Sequence, residues 1–479
     1  MNKLGSTLVT AIVFGSIVLM GIGAIISLLI TEQRAGRITQ ASETAFQIAE
    51  AGLNQYRWRL THNPTDYTGL TNQAFFDNNG NLLGYITVTI TPPTAGSSII
   101  TITSIGSAEL YPSQTRTIQA RYGKPSYAEF AFVTNNNVWF GENEAVHGKL
   151  HSNGGIRMDG TGDSLITTIK ETYYCGQEHG CDDTTSNPNP YPNLEENWRP
   201  GVWSIDPNHT DDLWQFPIAD KVDFDVVTLK LEDMQTAAND DGILLPDSNT
   251  LVANTFGYHI IFNSTGTFTV KVVTKLQNKV NGYDTSGSLI NESNDIKNET
   301  ALTDAYGSPI YQNHALPNNG IIFVEDQTWV TGDVHGRVTV AAANLAEGST
   351  TTYDIIIPSD IKYYPYPDRS GDNVLGLIAQ QDILVPYYSD TDLIIDAALM
   401  AQKGHVYRYL YYGNTKNSIV TYGTIITNDI WTWTWVDRDG NVSSGYNTTN
   451  TIYDSNLIYA PPPFFPTKDE YTFISWEEL

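Results

Sequence analysis

The feature that most limits how this chain can fold is an uncharged apolar run near its start, from Leu8 to Ile30. As an α-helix, this run of 23 residues measures about 35 Å, because each helical residue adds about 1.5 Å. The hydrocarbon core of a bilayer is roughly 30 Å thick, so the run is long enough to cross it. The sequence therefore predicts a membrane-spanning helix.

A cleaved secretory signal would begin in a similar way, but two observations argue against it. The apolar core of a signal holds only about 7–15 residues and is followed by a small-residue cleavage motif. Here the run is longer, and the segment TEQRAGRITQASE that begins at Thr31 contains no Ala-x-Ala motif at the right place. We therefore expect the apolar run to stay in the mature protein.

The helical pattern continues beyond the apolar run. Between Ile38 and Leu60 apolar residues recur at spacings of three and four, which is typical of one buried helix face. Asn63-Pro64 ends this pattern, because the residue before a proline disfavours the helical conformation. The sequence predicts one helix over residues 6–62, about 85 Å long, with an apolar first half and an amphipathic second half.

The start of the chain resembles a known family. The leader MNKLG (residues 1–5), the apolar helix and the segment AFQIAEAGLNQYRW from Ala45 are similar to type IV prepilins, and specifically to minor pilins of the PilX kind. The resemblance implies cleavage by a prepilin peptidase between Gly5 and Ser6, and N-methylation of Ser6. It also implies a single-pass precursor in the cytoplasmic (inner) membrane, with the C-terminal domain outside, which then reaches a pilus or the cell surface.

The chain departs from major pilins at Thr10, where they carry a glutamate five residues into the mature protein. A glutamate in the membrane seeks an amine on a neighbouring subunit, because an unpaired charge there is costly. Minor pilins and capping pseudopilins tolerate its loss. The resemblance therefore implies other pilin subunits as partners of the helix, and a place at the filament tip or as the initiating subunit.

The segment after the helix predicts a small antiparallel sheet. Gly84–Pro92, Ser97–Leu110 and Gln114–Tyr122 alternate with a period of two and are separated by turn residues. We expect residues 63–123 to form a β meander that packs on the amphipathic half of the helix, which is the plan of a pilin.

The remaining residues, 124–479, are rich in Val, Ile, Thr and Tyr and predict a large β-rich domain, so the fold class is α+β. Only Asp225–Ala238 has a clear helical pattern there. The final third, residues 320–435, contains short apolar strands with polar corners at spacings of 16 to 25 residues. These strands begin at Gly320, Gly336, Asp354, Gly376, Ala398 and Gly423.

Short strands at a loose period are typical of the stacked rungs of a β-solenoid. Gly148–Met158 has the same form and is a candidate for an early rung. A sandwich of antiparallel strands is the alternative architecture for this domain.

The charge of the chain limits its partners. It contains 53 acidic and 26 basic residues, with a formal net charge of −27. Such a surface repels phosphates, so we expect no nucleic acid as a partner. Solubility is one explanation of the acidity, and binding of a divalent cation such as calcium is the other; we expect no further cofactor. Asp437–Asn441 (DRDGN) resembles the start of a calcium loop, but no acidic residue closes it, so it predicts a hairpin turn.

Cys175 and Cys181 are the only cysteines, and both lie on the exported side of the predicted membrane helix. Oxidising conditions there favour a disulfide between them. Two free thiols are one alternative, and a metal site that adds His179 and the Asp182-Asp183 pair is the other, although zinc usually takes four organised ligands.

His147 and His151 are a second candidate for metal binding, because residues four apart on a strand share one face. A third ligand would have to come from a carboxylate such as Asp159. Two polar residues at a solenoid corner are the simpler interpretation.

The sequence contains no Gly-x-Ser-x-Gly, His-Glu-x-x-His or phosphate-loop motif. Acids and an arginine near one another could cleave polysaccharides, but solvated loop residues explain them as well. They are Asp368, Arg369, Asp372, Asp390 and Asp392. We therefore expect no enzymatic activity.

Two functions fit these observations. The first is a minor type IV pilin-like subunit at the tip or initiation point of a pilus or pseudopilus, which acts in filament assembly and in adhesion to surface glycans or to host and neighbouring cells. The alternative is a membrane-tethered carbohydrate-binding or carbohydrate-active β-helix protein. Cleavage after Gly5 distinguishes the two, because a tethered enzyme needs no leader processing.

Overall fold

The computed structural model describes the chain with several gaps. The described residues are 4–93, 97–176, 179–181, 194–195, 197–206, 208–209, 211–224, 231–437, 441–468 and 470–479. The chain forms two compact units. The first consists of Met1–Thr94, Ser98–Lys124 and Asp469–Leu479, and the second of Ala95–Ser97 and Pro125–Lys468.

A long first helix followed by a β-rich remainder confirms the predicted α+β fold class. Helix α1 spans Leu4–His62 and has 59 residues. It ends directly before Asn63-Pro64, as the proline predicts. Helix α2 spans Leu231–Asp240 and buries Leu231, Met234 and Ala238 on one face. The first part of the helix predicted over Asp225–Ala238, residues 225–230, lies outside the described residues.

The strands carry labels in chain order. They are β1 Leu70–Phe76, β2 Leu82–Thr91, β3 Ile99–Ala108, β4 Thr115–Gly123, β5 Phe132–Thr134, β6 Val138–Phe140, β7 Glu144–His147, β8 Leu150–Ser152, β9 Ile156–Met158, β10 Thr161–Gly162, β11 Ile166–Thr168, β12 Thr172–Tyr174, β13 Trp198–Pro200, β14 Val202–Trp203, β15 Trp214–Gln215, β16 Ile243–Leu245, β17 Tyr258–Asn263, β18 Thr267–Leu276, β19 Val280–Tyr283, β20 Leu289–Glu292, β21 Ile296–Ala301, β22 His314–Ala315, β23 Ile321–Val324, β24 Thr328–Val334, β25 Arg337–Ala342, β26 Ile355–Ile356, β27 Ile361–Tyr363, β28 Val374–Ala379, β29 Ile383–Leu384, β30 Asp392–Ala401, β31 Val406–Tyr407, β32 Thr415–Thr427, β33 Trp431–Thr432, β34 Thr434–Val436, β35 Val442–Tyr453 and β36 Thr472–Glu478.

The first unit contains one antiparallel sheet in the order β1-β2-β3-β4-β36. Its first four strands form the expected meander. The fifth strand, β36, corrects the predicted domain boundary. The sequence placed the C-terminal residues in the large domain, 124–479, but β36 belongs to the sheet of the first unit. The aromatic residues of this last segment favour the sheet of the first unit, where Trp476 contacts Phe46 of α1 edge to face.

The second half of α1 packs on this sheet very closely. A Cβ added to Gly106 of β3 would lie 2.0 Å from the backbone oxygen of Ala45. The Tyr56 hydroxyl donates to the Asp66 backbone oxygen at 2.9 Å and accepts from the Gly69 amide at 2.8 Å. The helix residues buried there are Ala41, Ala45, Ile48, Ala49, Leu53, Tyr56 and Leu60.

The second unit is dominated by parallel pairing between strands of successive chain turns. One ladder of directly paired residues runs through ten strands: Ile243, Ile322, Val340, Leu377, Leu399, Ile425, Phe132, Leu150, Ile166 and Trp214. A second runs through His259, Trp329, Ile356, Leu384, Tyr407 and Thr432. A third runs through Phe262, Gly332, Ile361, Ile395, Thr421, Thr451, Val146 and Gly162.

Three parallel ladders of this kind are expected between the stacked turns of a solenoid. Antiparallel pairs occur as well, as between β17 and β18 and between β18 and β21. The order of the turns was not expected: Phe132 of β5, early in the unit, pairs with Ile425 of β32, which comes late. The Gly148–Met158 segment predicted as an early rung therefore stacks beyond the late turns.

Candidate functional site

The first candidate is the exposed half of α1. Large apolar side chains from Leu8 to Ile30 are about half exposed or more, from 48% at Ile22 to 75% at Met20. Among the described residues, α1 is the one helix long and apolar enough to cross a membrane. Soluble surfaces rarely carry a continuous apolar patch of this size, so this half of α1 is built for a bilayer, for other helices or for both.

The glycines of α1 also differ between its exposed half and its packed half. A Cβ added to Gly15, Gly21 or Gly23 would meet nothing within 4 Å. A Cβ at Gly52, in the packed half, would lie 2.5 Å from the Ser104 hydroxyl oxygen. The glycine at 52 therefore serves packing within this chain, whereas those in the exposed half leave room for neighbours outside it, as small residues do between membrane helices.

The expected processing site lies at the start of this helix. Helix α1 begins at Leu4, so Gly5 and Ser6 belong to its backbone. Residues 1–3 of the leader lie outside the described residues. Cleavage after Gly5 and methylation of Ser6 stay predictions.

Cys175 and Cys181 are joined by a disulfide and are both buried. Their loop is held by Arg157, whose Nη1 donates to the backbone oxygen of His179 at 2.8 Å. The Arg157 guanidinium stacks over Trp139, 4.1 Å from the ring centroid. A disulfide occupies both sulfur atoms and leaves neither for a metal. Asp182-Asp183, the acids considered as further ligands, lie outside the described residues.

The two histidines of the second metal hypothesis have separate partners. His147 Nδ1 lies 2.7 Å from an Asp163 carboxylate oxygen. His151 is buried, with its ring nitrogens 3.0 Å from the Thr167 hydroxyl and 3.1 Å from the Asn153 side-chain oxygen. Asp159 instead accepts from Arg157 Nε at 2.6 Å. Within the described part of the chain, no group of three or more His, Cys, Asp or Glu residues could hold a metal ion.

Four of the five residues considered for polysaccharide cleavage have side-chain contacts with other residues. The contacts are Arg369 with Asp396 at 2.9 Å, Asp372 with Arg337 at 2.7 Å, Asp390 with Ser359 at 2.5 Å, and Asp392 with Ser418 at 2.6 Å. They hold neighbouring segments together. In the Asp437–Asn441 turn, the Asn441 amide donates to Asp437 at 2.9 Å, and residues 438–440 lie outside the described residues.

A further candidate, which no sequence pattern indicates, is a cleft of ≈ 570 Å³ in the second unit. Its lining comes from β17, β21, β24, β27 and the turn after β29. The lining side chains include His259, Asp295, Glu299, Asp333, Lys362 and Tyr388. They are spread over 130 residues of sequence, so no local motif announces the cleft.

Two carboxylates of the cleft are already engaged. Glu299 accepts from Lys271 Nζ at 2.6 Å and lies 2.7 Å from His259 Nδ1. Burial raises the pKa of Glu299, but the hydrogen bonds from His259 and Lys271 outweigh it and hold the pKa at about 2. Asp360 accepts from the Ile394 amide at 2.9 Å and pairs with Lys362 at 3.1 Å.

Two other carboxylates that line the cleft can accept further hydrogen bonds. Asp295 accepts from the Tyr388 amide at 3.1 Å, and burial raises its pKa to about 6. Asp333 lines the cleft, and its carboxylate has no hydrogen-bond partner in the described part of the chain. The cleft therefore offers hydrogen-bond acceptors to a ligand.

Comparisons with known proteins give a likeness among solved structures. No protein family matches the chain, and no curated protein does. Among solved structures, the chain is similar to the competence-associated pilin ComZ from Thermus thermophilus, with 14% identity and a TM-score of 0.31, over 92% of this chain and 97% of that one. At this identity and TM-score the likeness carries no argument about function.

Proposed function

We propose that this chain is a pilin-like subunit of a type IV pilus or pseudopilus, a minor pilin of the PilX kind, placed at the tip or at initiation. The observation that carries the proposal is the division of α1 into an exposed apolar half, Leu8–Ile30, and a half that packs on the β meander. A plain membrane anchor needs no second half that is fixed to a sheet. A subunit that inserts its helix among other helices needs both.

Two features favour the tip over the shaft. In a pilus the helices form the core and the remaining domains form the shell, so each domain must fit within the rise between subunits. The second unit, Pro125–Lys468, is large for such a shell. Thr10 stands where a shaft subunit would carry the carboxylate that pairs with a neighbour's amine.

The precursor is then a single-pass protein of the cytoplasmic membrane, processed by a prepilin peptidase and moved to the cell surface. Its partners are other pilin subunits through α1, and surface glycans or cells through the second unit. The role is assembly and adhesion rather than catalysis, since Asp372, Asp390 and Asp392 are engaged in contacts between neighbouring segments.

Immunogold labelling of isolated filaments with an antibody to Gly320–Leu479 tests the position. We expect gold particles at filament ends. Regular labelling along the shaft contradicts the tip position, and complete absence from filaments of a strain that expresses the protein favours the tethered carbohydrate-binding alternative.

A further inference from the structure

The cleft of the second unit has the chemistry of a ligand site. Its volume of ≈ 570 Å³ lies within the range of roughly 300–1,000 Å³ that is usual for small-molecule sites. The cleft is built on parallel strands β24 and β27, with β17 and β21 beside them, so its walls are held by backbone pairing.

The lining combines polar groups with an aromatic ring. Asp295 and Asp333 supply carboxylate oxygens, and Gln277, Thr331 and Lys362 supply amide, hydroxyl and ammonium groups. Such groups can accept from and donate to several hydroxyls of one ligand. Tyr388 is 57% exposed, and its ring offers an apolar face beside these polar groups.

The charge of the lining excludes several classes of ligand. Four carboxylates, Asp295, Glu299, Asp333 and Asp360, face one lysine and one histidine. This excess of negative charge repels phosphates, sulfated glycans and uronic acids. A bare divalent cation is also disfavoured, because the described residues contain no group of three metal-binding side chains arranged to hold one.

We propose that this cleft binds a neutral or amino-substituted saccharide, with Tyr388 stacked on the apolar face of a sugar ring and Asp295 and Asp333 accepting from its hydroxyls. The proposal does not depend on the position of the subunit in a filament: a shaft subunit or a tethered protein with this cleft would bind the same ligand.

The test uses the full chain in a detergent without a sugar head group. The probes are immobilised oligosaccharides of glucose, galactose, mannose and N-acetylglucosamine, with chitosan oligomers as the cationic probe and heparin and polygalacturonate as acidic probes. We expect at least one neutral or amino sugar to bind ten times more tightly than either acidic probe, with and without a chelator. Failure of every neutral and cationic probe, a preference for the acidic probes, or loss of binding in the chelator overturns the proposal.

Matched variants locate the site. Tyr388→Ala and Asp333→Asn should each weaken saccharide binding at least tenfold. Tyr306→Ala removes a tyrosine that is 95% exposed outside the cleft, and Asp368→Asn removes an exposed acid outside it; both should bind like the natural chain. Equal losses in the cleft variants and the controls contradict the assignment. Unchanged thermal unfolding of Asp333→Asn excludes misfolding as the cause of a loss.

Discussion

Arg369 donates two hydrogen bonds to the buried carboxylate of Asp396, from Nε at 2.9 Å and from Nη2 at 3.0 Å. The Asp396 side chain is fully buried on β30, and it also accepts from the Tyr363 amide at 2.9 Å. The Arg369 guanidinium lies 4.4 Å from the ring centroid of Tyr422. Arg369, which lies near the acids considered for polysaccharide cleavage, therefore links two segments of the second unit.

Removing one partner of this pair should be costly. Asp396→Ala leaves Arg369 without its carboxylate and the Tyr363 amide without its acceptor, so we expect a loss of about 3 kcal/mol in the free energy of unfolding. Arg369→Lys keeps the charge but loses the paired geometry, and should cost about 1 kcal/mol. Asp368→Ala, next to the pair and exposed, is the control. Denaturant titration measures all three, and equal stability of Asp396→Ala and the control would contradict the structural role.

Gly106 is required by the close approach of β3 to α1. The Cβ of Gly106→Ala would lie 2.0 Å from the Ala45 oxygen, so the helix must shift, at a cost of about 1–3 kcal/mol in the stability of the first unit. The Cβ of Gly36→Ala, a substitution in α1 itself, would meet nothing within 4 Å, so this variant should be neutral or slightly stabilising. Hydrogen exchange of β2–β4 amides distinguishes the two variants; protection that is unchanged in Gly106→Ala contradicts the close packing.

Processing at Gly5 separates the pilin-like function from a plain anchor. Amino-terminal sequencing of protein from membranes should find a chain that begins at methylated Ser6. Gly5→Ala should leave the leader attached and stop assembly. Gly15→Ala, where a Cβ meets nothing within this chain, should be processed normally. An intact Met1 in the natural protein, or a cut near Ala24, would remove the pilin-like interpretation.

The disulfide between Cys175 and Cys181 closes a short loop. Unreduced protein should show no free thiol by alkylation and mass spectrometry. The double variant Cys175→Ser/Cys181→Ser should lose about 2 kcal/mol in the free energy of unfolding, because the unfolded chain is then less restricted. Two alkylated cysteines in the unreduced protein, or a bound metal, would show that the bond does not form in the cell.

Asp354 should make stability fall as pH rises. Burial, followed by the nearby Asp382 carboxylate, raises its pKa to about 7, above the ordinary value of about 4. The folded chain therefore holds this proton to higher pH than the unfolded chain does. The stabilising contribution is complete below about pH 4 and is lost as the pH rises through 7.

Asp354→Asn should remove this dependence. Between pH 4 and 8 the natural chain should lose about 4 kcal/mol more than the variant. Thermal unfolding of both proteins is measured at several pH values. The difference between the natural chain and the variant removes the effects of other titratable groups. Asp392→Asn serves as the control, because that carboxylate is exposed and bonded to Ser418 and Asn417. Parallel curves for the natural chain and Asp354→Asn would contradict the raised pKa.

The sequence predicts those parts of the fold that depend on local periodicity. The end of α1 before Asn63-Pro64, the strands of the meander and the apolar strands after Gly320 and Gly336 follow from spacing and turn residues alone. The pairing of Ile425 with Phe132 does not, because residues far apart in sequence carry no shared local pattern. The same holds for the cleft, where Asp295 and Tyr388 meet only through the stacking of turns.

The return of β36 to the first sheet has a consequence for biosynthesis. Thr472 pairs with Gly123, so the final segment closes an edge that β4 leaves open while the whole second unit is being synthesised. An unpaired strand edge invites contact with other chains. Only a chain synthesised through β36 can cover that edge, and products that stop within the second unit leave it open. Protection of the β4 edge is therefore coupled to synthesis of the second unit.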